Sequence, residues 1–460
     1  MDRIRGVKPG SRRSSASIVF NVLLTGVPVY MFHFTYLHFY RTATFYNKGN
    51  VLFSLLYCLL LALLMVVYSG YRIRQFRTRE LVFSFALAST ITNMLIYIVM
   101  CLISGRILRP WAVILTTFAQ WIVETGLYVL ARVVLPVMEP PVEALYIRED
   151  EDRNDLFLRK FDSRRSRYSV KTVVSADRPW EEIERALRAN RTVLIGETSP
   201  ALRQDIMDYC FRTGKEAILL PSVSDVMVGS ASSFILGDAL LFNLNTEGPD
   251  MGYLRAKRLF DIAASVLGLV ILSPLMLATA IAVKRQDGGP VFYRQTRLTQ
   301  GGREFQLTKF RSMIVNAEQD TGAVMAGKSD SRITKVGEFI RATRIDELPQ
   351  LWNILKGDMS VVGPRPERPE FYEQICAEYP EFDYRLKVKA GLTGYAQLYG
   401  KYNTTFADKV KLDLYYIQHA SFLWDLQLIF YTLKIIFIKE STEGVEQSGT
   451  QTEKTPEPRT

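Results

Sequence analysis

The sequence has few of the side chains that bind zinc or form histidine-based catalytic triads. Its 460 residues include three histidines and four cysteines, and no two cysteines have the short spacing of a metal site. His33 and His38 lie among aromatic residues in an apolar segment, far along the chain from His419. The composition argues against a zinc enzyme and a His-based triad. It predicts free or buried thiols in a reducing compartment.

A second absence concerns the glycine fingerprint of dinucleotide-binding domains. Between residues 143 and 245, strand-like segments such as "VKTVV", "RTVLIG" and "AILL" alternate with helix-like segments, which predicts a small parallel α/β sheet. The turn after "TVLIG" reads "ETSPAL" and lacks the G-x-G-x-x-G that brings backbone N–H groups onto a pyrophosphate. We expect a degenerate Rossmann-like cytoplasmic domain at 141–250 with a structural, regulatory or dimerising role.

Long apolar stretches dominate the first third of the chain. They occupy roughly residues 17–40, 51–71, 81–104 and 111–136. Each is long enough to cross a hydrocarbon core of ~30 Å. A net charge of +10 together with 48% hydrophobic residues fits a membrane protein better than a nucleic-acid binder. We predict an α-helical four-span membrane bundle at 1–140 and no nucleic-acid partner.

Basic residues beside these stretches predict their orientation. Five arginines and lysines precede the first stretch, and four arginines separate the second from the third. Under the positive-inside rule the N-terminus is cytoplasmic. Four spans then return the chain to the cytoplasm.

The segment 255–285 is also apolar, but it carries features that disfavour a simple crossing. It contains Asp261 and the pair Ser273-Pro274, and both of its ends are basic. Proline removes a helix hydrogen bond and favours a bend. Cationic flanks on both sides suit a hairpin that enters and leaves by one face. We predict a re-entrant membrane helix at 257–284, with a proline-kinked span as the alternative.

One acidic pair, Asp346-Glu347, lies within a region rich in arginine and lysine. Locally, "DELPQLWN" is typical of a helix start, with Asp346 as N-cap, an acidic first turn and Pro349 near the beginning. Two adjacent carboxylates among cations are also what a magnesium-assisted phosphoryl transfer needs. The pair is therefore predicted to cap a helix, to perform chemistry, or to do both.

Several of the nearby cations stand in rigid contexts. Arg365 lies between two prolines, and Lys309 and Arg311 flank a phenylalanine. Guanidinium groups held in this way suit phosphate oxygens, which they can bind through two parallel hydrogen bonds. The region 290–400 is therefore a candidate phosphate-binding surface, although a solvated basic surface would look similar.

An ordered series of motifs runs from Lys257 to Phe437: "KR", "FD", "SP", "KFRSM", "DELPQLWN", "VGPRP", "GLTG" and "DLYY". This series resembles the bacterial sugar transferase family, the monotopic phosphoglycosyl transferases. With four preceding spans and a sheet domain, the layout resembles the large members of that family. The resemblance implies a mainly α catalytic domain at 251–440, with a re-entrant membrane helix and interfacial helices. A disordered tail is expected at 441–460.

The activity implied by the resemblance is transfer of a hexose 1-phosphate from a UDP-sugar to polyprenyl (undecaprenyl) phosphate, with release of UMP. In the family this is the initiating membrane step of exopolysaccharide, capsule or related glycan synthesis. Tyr399 to Phe406, "YGKYNTTF", resembles members that use glucose or galactose.

The resemblance also implies roles for individual residues. Asp346 would be the nucleophile that forms a covalent phosphosugar intermediate, and Glu347 would help to hold Mg²⁺ at the diphosphate. The positions that match the break of the membrane hairpin are Ser273 and Pro274. The positions that match phosphate-contacting or basic motifs of the family are Arg341, Arg365, Lys309 and Arg311.

The partners implied are a UDP-sugar, polyprenyl phosphate, membrane lipid, downstream glycosyltransferases and a second copy of the chain in a homodimer. The implied location is the bacterial cytoplasmic (inner) membrane, with several passes. Because UDP-sugars are cytoplasmic, the catalytic domain is expected on the cytoplasmic face.

Two positions depart from the pattern of the family. Many relatives have glycine where this chain has Thr299, and many have proline where it has Ala390. Both positions are predicted turns. The departures are therefore expected to affect loop shape or sugar choice more than the reaction.

Two other functions stay open at this stage. A membrane-bound nucleotide-sugar dehydratase can also combine four spans with α/β domains, but it should carry the glycine fingerprint that is missing here. A non-catalytic membrane scaffold for glycan assembly would use the basic domain to bind anionic lipid. The joint presence of Arg341, Asp346, Glu347 and Arg365 speaks against the scaffold.

The C-terminal run at 421–439 is apolar but includes charged residues. A further span is one interpretation. A helix lying in the membrane interface is favoured, with Trp424 and Lys434 near the headgroups.

Overall fold

A computed structural model describes residues 15–40, 48–149, 158, 168–315, 317, 330–400 and 404–436. The chain divides into two compact units, residues 1–220 and 221–460. The predicted tail at 441–460 lies outside the described residues.

The first unit begins with four long apolar helices. They are α1 (Ser15–Thr35), which continues into a π-helical turn (Tyr36–Tyr40), α2 (Lys48–Val67), α3 (Thr78–Ser104) and α4 (Trp111–Met138). All four are long and apolar enough to cross a membrane. The predicted apolar stretches therefore form helices, and the number that cross a membrane stays a prediction.

The interior of this helical bundle contains a network of polar side chains among apolar ones. The amide of Asn93 donates to both Thr117 and Gln120 at 2.8 Å, and the Tyr57 hydroxyl donates to Asn93 at 2.9 Å. Large apolar side chains such as Ile122 face outward. Hydrogen bonds between helices inside and apolar side chains outside are the arrangement that suits a bundle surrounded by lipid.

A four-stranded parallel sheet follows, in the order β2-β1-β3-β4. The strands are β1 (Val142–Arg148), β2 (Tyr168–Ser175), β3 (Thr192–Ile195) and β4 (Glu216–Leu219), and the helices are α5 (Trp180–Ala189) and α6 (Pro200–Thr213). The predicted parallel α/β domain is confirmed. Strand β1 was missed, because "EALYIR" stands in a proline-rich and charged context. Its residues 144–147 are nevertheless fully enclosed in the sheet.

The second unit begins earlier than the predicted domain boundary at residue 250. Helix α7 (Val223–Gly229) and the hairpin of β5 (Ser232–Leu236) and β6 (Ala239–Asn243) belong to it. Val223 packs against an apolar cluster that contains Ile375, Phe382 and Val410. These contacts join helix α7 to the later part of the second unit.

Helix α8 (Met251–Asp287) starts at an Asp250 N-cap and ends at Gly288, which has a left-handed φ of 71°. It runs without interruption through Ser273 and Pro274, and the Ser273 hydroxyl donates to the Val270 carbonyl at 2.8 Å. The helix therefore does not end at the predicted break. Re-entry into a membrane stays a prediction. By length and composition, α8 is also a candidate span.

Both ends of α8 are attached to the second unit. Near the start, Arg258 donates to the carbonyls of Ile354 and Leu355 at 2.6 and 2.8 Å. At the other end, Asp287 pairs with Arg311. The helix therefore lies along one unit instead of leaving it.

The remainder of the second unit is mainly helical, as predicted, with two small sheets. The antiparallel pair is β7 (Phe292–Leu298) and β8 (Glu304–Phe310), and the parallel pair is β9 (Met359–Val362) and β10 (Ala390–Thr393). The helices are α9 (Lys335–Ala342), α10 (Gln350–Lys356), α11 (Pro369–Glu378), α12 (Tyr395–Tyr399), α13 (Phe406–His419) and α14 (Phe422–Ile436).

Helix α14 corrects one expectation about the C-terminal run. The Lys434 side chain is buried in the protein, and its ammonium lies 4.8 Å from the centre of the Tyr431 ring. Asp425 is also buried, and it pairs with Lys257 at 2.5 Å. The predicted contact of Lys434 with headgroups is therefore wrong. The ion pair of Asp425 holds this helix to α8.

Candidate active site

The acidic pair lies in a short 3-10 turn, Ile345–Glu347, between α9 and α10. Helix α10 begins at Gln350 with Pro349 as its N-cap, so Asp346 does not cap it and that part of the local prediction is wrong. The position of Pro349 at the helix start is confirmed. Asp346 is buried, and its Oδ1 has no hydrogen-bond partner among the described residues. A buried carboxylate without a partner is costly, which points to a role other than capping.

Three cations hold the neighbouring carboxylate. Oε1 of Glu347 lies 3.3 Å from Nη2 of Arg365, 3.4 Å from Nη1 of Arg344 and 3.6 Å from Nζ of Lys309. The Glu347 side chain is only 12% exposed. The structure therefore brings together four of the residues selected or implied by the motifs, namely Asp346, Glu347, Lys309 and Arg365. It adds Arg344, which sequence reasoning missed.

The pKa values of the two carboxyl groups are shifted in opposite directions. Burial raises the pKa of Asp346 to about 6, and the adjacent Glu347 charge acts in the same direction. Burial would also raise the pKa of Glu347, but the charges of Arg365, Lys309 and Arg344 outweigh it and lower that pKa to about 2. Neighbouring carboxyl groups with separated pKa values are a feature of catalytic sites.

Lys309 is placed by an asparagine that the sequence analysis did not select. Asn353, on α10, accepts a hydrogen bond from the Thr308 N–H at 3.1 Å and donates to the Gln306 carbonyl at 2.7 Å. These bonds fasten strand β8 to the helix that follows the acidic pair. Asn353 ends the "DELPQLWN" motif, and the position of an asparagine within the apolar run "LWNIL" was the available signal.

Arg365 is placed by close contact between three glycines. A Cβ built on Gly391 would lie 2.1 Å from the Gly363 nitrogen, and one on Gly394 would lie 2.1 Å from the Gly363 oxygen. Only glycine permits this approach, which joins the "VGPRP" and "GLTG" motifs. The Arg365 carbonyl also accepts from Arg385 at 3.0 Å, and Arg385 pairs with Asp413 at 2.8 Å.

Two predicted phosphate-binding residues have different surroundings. Arg341 lies in the last turn of α9, and its positive charge lowers the pKa of Asp346, so it belongs to the same electrostatic environment. The guanidinium of Arg311 instead pairs with Asp287 and donates to the carbonyls of Pro290 and Met313. Its described contacts attach α8 to the second unit, and a role for Arg311 in phosphate binding stays a prediction.

The two departures from the family pattern are in contact with each other. The Ala390 N–H donates to the Thr299 hydroxyl oxygen at 3.2 Å, and that hydroxyl donates to the Asp358 carbonyl at 2.7 Å. A proline at position 390 would have no N–H, and its ring would occupy the space of the threonine side chain. The Thr299 and Ala390 departures therefore form one coupled unit.

We expect Ala390→Pro to lower the free energy of unfolding by about 1–3 kcal/mol, because the ring clashes with Thr299 and removes the hydrogen bond. In the Thr299→Gly background the same change should cost clearly less. Thermal and denaturant unfolding of the four proteins measures the coupling. Thr296→Gly is the control partner, since its hydroxyl bonds to Gln306 instead. Additivity of Ala390→Pro with Thr299→Gly within about 0.5 kcal/mol contradicts the coupling.

Comparison with known proteins covers the segment that contains this site. The family model described as bacterial sugar transferase matches residues 252–439. A putative undecaprenyl-phosphate N-acetylgalactosaminyl 1-phosphate transferase of Bacillus subtilis is 51% identical over 134 residues, which are 29% of this chain and 74% of that protein. The chain belongs to the bacterial sugar transferase family.

Longer relatives match over a larger share of this chain. A UDP-N-acetylgalactosamine-undecaprenyl-phosphate N-acetylgalactosaminephosphotransferase of Aeromonas hydrophila is 44% identical over 191 residues, 41% of this chain and 45% of that protein. A UDP-glucose:undecaprenyl-phosphate glucose-1-phosphate transferase of Klebsiella pneumoniae is 42% identical over 206 residues, 44% of this chain and 43% of that protein. The matched segment thus spans less than half the length of these two relatives, whose named donor sugars differ.

The residues of this family site fit a magnesium ion only together with a substrate. Among the described residues no group of three or more His, Cys, Asp or Glu side chains could hold a metal ion. Mg²⁺ is commonly bound through one or two carboxylates plus substrate phosphates, with waters completing its coordination. Asp346 and Glu347 supply such carboxylates beside cations suited to phosphate.

Proposed function

We propose that this protein transfers a hexose 1-phosphate from a UDP-sugar to undecaprenyl phosphate and releases UMP. The observation that carries the proposal is the buried Asp346, whose Oδ1 has no hydrogen-bond partner among the described residues, next to a Glu347 held by three cations. The relatives named above, which match the same segment, are named for transfer of sugar phosphates to undecaprenyl phosphate. Such a step would initiate the assembly of an exopolysaccharide, capsule or related glycan.

In the proposed first step, an Asp346 carboxylate oxygen attacks the β-phosphorus of the UDP-sugar. An aspartyl O–P bond forms, and the bond between the β-phosphorus and the bridging oxygen breaks, so that UMP leaves with the bonding electron pair. In the second step, a phosphate oxygen of undecaprenyl phosphate attacks the same phosphorus. The aspartyl O–P bond breaks, Asp346 is regenerated, and the lipid carries a diphosphate-linked sugar.

The other groups of the site assist by charge. Lys309 and Arg365 would bind diphosphate oxygens, and Arg341 would add positive charge beside Asp346. Glu347 would hold Mg²⁺ together with the diphosphate. When bound, the ion supplies neutralisation of the phosphate charge that otherwise repels an approaching carboxylate.

The proposed location is the bacterial inner membrane, with the site at its cytoplasmic face. The attachment of both ends of α8 to one unit supports a helix that enters and leaves by the same side. Apolar side chains exposed along its middle, including Val270 and Ile271, suit lipid. A homodimer and downstream glycosyltransferases stay predicted partners.

The test uses the full chain in lipid nanodiscs with Mg²⁺, undecaprenyl phosphate and a panel of UDP-sugars. UMP release is expected with at least one donor, and UDP-glucose and UDP-galactose are the favoured ones. Without the lipid acceptor, a burst of about one UMP per chain is expected from the covalent step. Consumption of a UDP-sugar without UMP supports a dehydratase. No consumption of any donor supports a scaffold, and either result overturns the proposal.

The pH dependence of that burst provides a further prediction. Because Asp346 attacks only when ionised, and its pKa is about 6, the burst rate constant should rise through pH 6 and level off near pH 7. Rapid-quench measurement at low UDP-sugar concentration, without acceptor, avoids the titration of the lipid phosphate near the same pH. A rate that is constant from pH 5 to pH 8 contradicts this assignment.

A further inference from the structure

Arg344 has a backbone conformation that arginine rarely adopts. Its φ is 59° and its ψ is 15°, in the left-handed region. Among the described non-glycine residues, Ser69 is the other with a positive φ. This conformation costs free energy for a residue with a Cβ, and such strain clusters at functional sites. The question is what the arginine contributes that glycine or asparagine would not.

The backbone of Arg344 builds the turn that presents the carboxylates. Its N–H donates to the Arg341 carbonyl at 3.2 Å, and its own carbonyl accepts from the Glu347 N–H at 3.2 Å. A glycine or asparagine could make the same turn with less strain. The backbone alone therefore does not account for arginine here.

The side chain adds a cation to the site. Its Nη1 lies 3.4 Å from Oε1 of Glu347, and its charge lowers the pKa of both Glu347 and Asp346. It is 34% exposed, so a ligand arriving from solvent can reach it. With Arg341, Lys309 and Arg365 nearby, the cations outnumber the two carboxylates. The surplus positive charge matches a diphosphate anion.

We propose that Arg344 is a further substrate-binding residue, which holds Glu347 in the free protein and binds a diphosphate oxygen of the UDP-sugar in the complex. This inference rests on the proposed function. Arg344, Lys309 and Arg365 contact one carboxylate oxygen in the free protein, and the incoming diphosphate takes over these contacts. Glu347 is then released to serve the metal.

The test separates strain from charge through three variants. Arg344→Asn keeps a residue that tolerates the left-handed region but removes the charge. Arg344→Lys keeps the charge without the planar fork, and Arg344→Gly removes both the side chain and the strain. UDP-sugar affinity is measured by calorimetry with Mg²⁺ in an Asp346→Asn background, where turnover is blocked. Thermal unfolding is measured in parallel.

For Arg344→Asn we expect UDP-sugar affinity to fall roughly tenfold to hundredfold, with an unchanged or higher melting temperature. Arg344→Lys should lose less affinity, and Arg344→Gly should lose as much as Arg344→Asn. With Asp346 restored, the acid limb of the burst rate should move to higher pH in Arg344→Asn. Arg303→Asn, at an exposed arginine paired with Asp358, is the matched control and should bind normally.

Affinity within twofold of the parent in Arg344→Asn overturns the inference. If that variant fails to fold, the comparison of Arg344→Lys with Arg344→Gly decides in its place. A structural role alone would lower the melting temperature and the affinity together, without recovery in Arg344→Lys. If the wild type releases UMP and the Arg344 variants bind UDP-sugar normally, only this inference is refuted. If the wild type releases no UMP, the proposed function is refuted.

Discussion

Asp346→Asn should reduce UMP release by roughly ten-thousand-fold or more, as expected when the nucleophile of a covalent mechanism is lost. The asparagine side chain has almost the same shape, so the 3-10 turn and the hold on Glu347 should persist. What disappears is the anionic oxygen that forms the bond to phosphorus. The loss should therefore be in the chemical step, with UDP-sugar binding retained.

The same substitution should change stability in a pH-dependent way. The pKa of Asp346 is raised in the folded protein to about 6, so the folded state binds a proton more tightly than the unfolded chain does. Stability from this group is therefore present at low pH and declines as the pH rises from about 4 to about 6. Asp346→Asn should accordingly melt higher than the wild type at pH 8, and the difference should shrink towards pH 4.

Two measurements test the role of Asp346. Wild type incubated with donor but without acceptor should show a phosphosugar adduct by intact-protein mass spectrometry. After digestion, the adduct should be found on the peptide that contains Asp346. The Asp346→Asn protein should show none. Asp358→Asn is the matched control, since Asp358 pairs with Arg303 and should leave the burst intact. More than about one per cent residual turnover in purified Asp346→Asn contradicts the nucleophile assignment.

Site residues that belong to sequence motifs could be predicted, whereas a residue selected by its backbone conformation could not. The ordered motifs led to Asp346, Glu347, Lys309 and Arg365, and the structure gathers these side chains around Glu347. Arg344 was missed because nothing in the sequence marks an arginine as left-handed; the conformation results from how α9 meets the following turn. Its contact with Glu347 is a property of that turn.

In the fold, too, elements with a strong sequence pattern were predicted and elements with a weak one were not. The long apolar helices could be predicted because hydropathy over about twenty residues is a strong signal. Strand β1 was not, since four enclosed residues between a proline-rich stretch and a charged one carry a weak local pattern. The uninterrupted α8 shows that Pro274 does not end the helix, although proline removes one helix hydrogen bond there.

Gly391→Ala should be a strongly damaging substitution outside the charged groups of the site. A Cβ at this position would lie 2.1 Å from the nitrogen of Gly363 and 2.5 Å from its Cα and oxygen. The obstructing atoms are backbone, so no side chain can rotate away. To fit the methyl group, β9 and β10 must separate. This movement would strain the hydrogen bond that the Gly391 N–H donates to the Pro364 carbonyl at 2.9 Å.

We therefore expect Gly391→Ala to lower the free energy of unfolding by about 3 kcal/mol or more, at the upper end of overpacking effects. Arg365 follows Pro364 directly, so its guanidinium should leave its place near Glu347, and the UMP burst should fall by about a hundredfold or more. Gly229→Ala is the control, because a Cβ there meets no atom within 4 Å. A Gly391→Ala protein that melts and turns over like Gly229→Ala would show that Arg365 does not depend on the glycine contact.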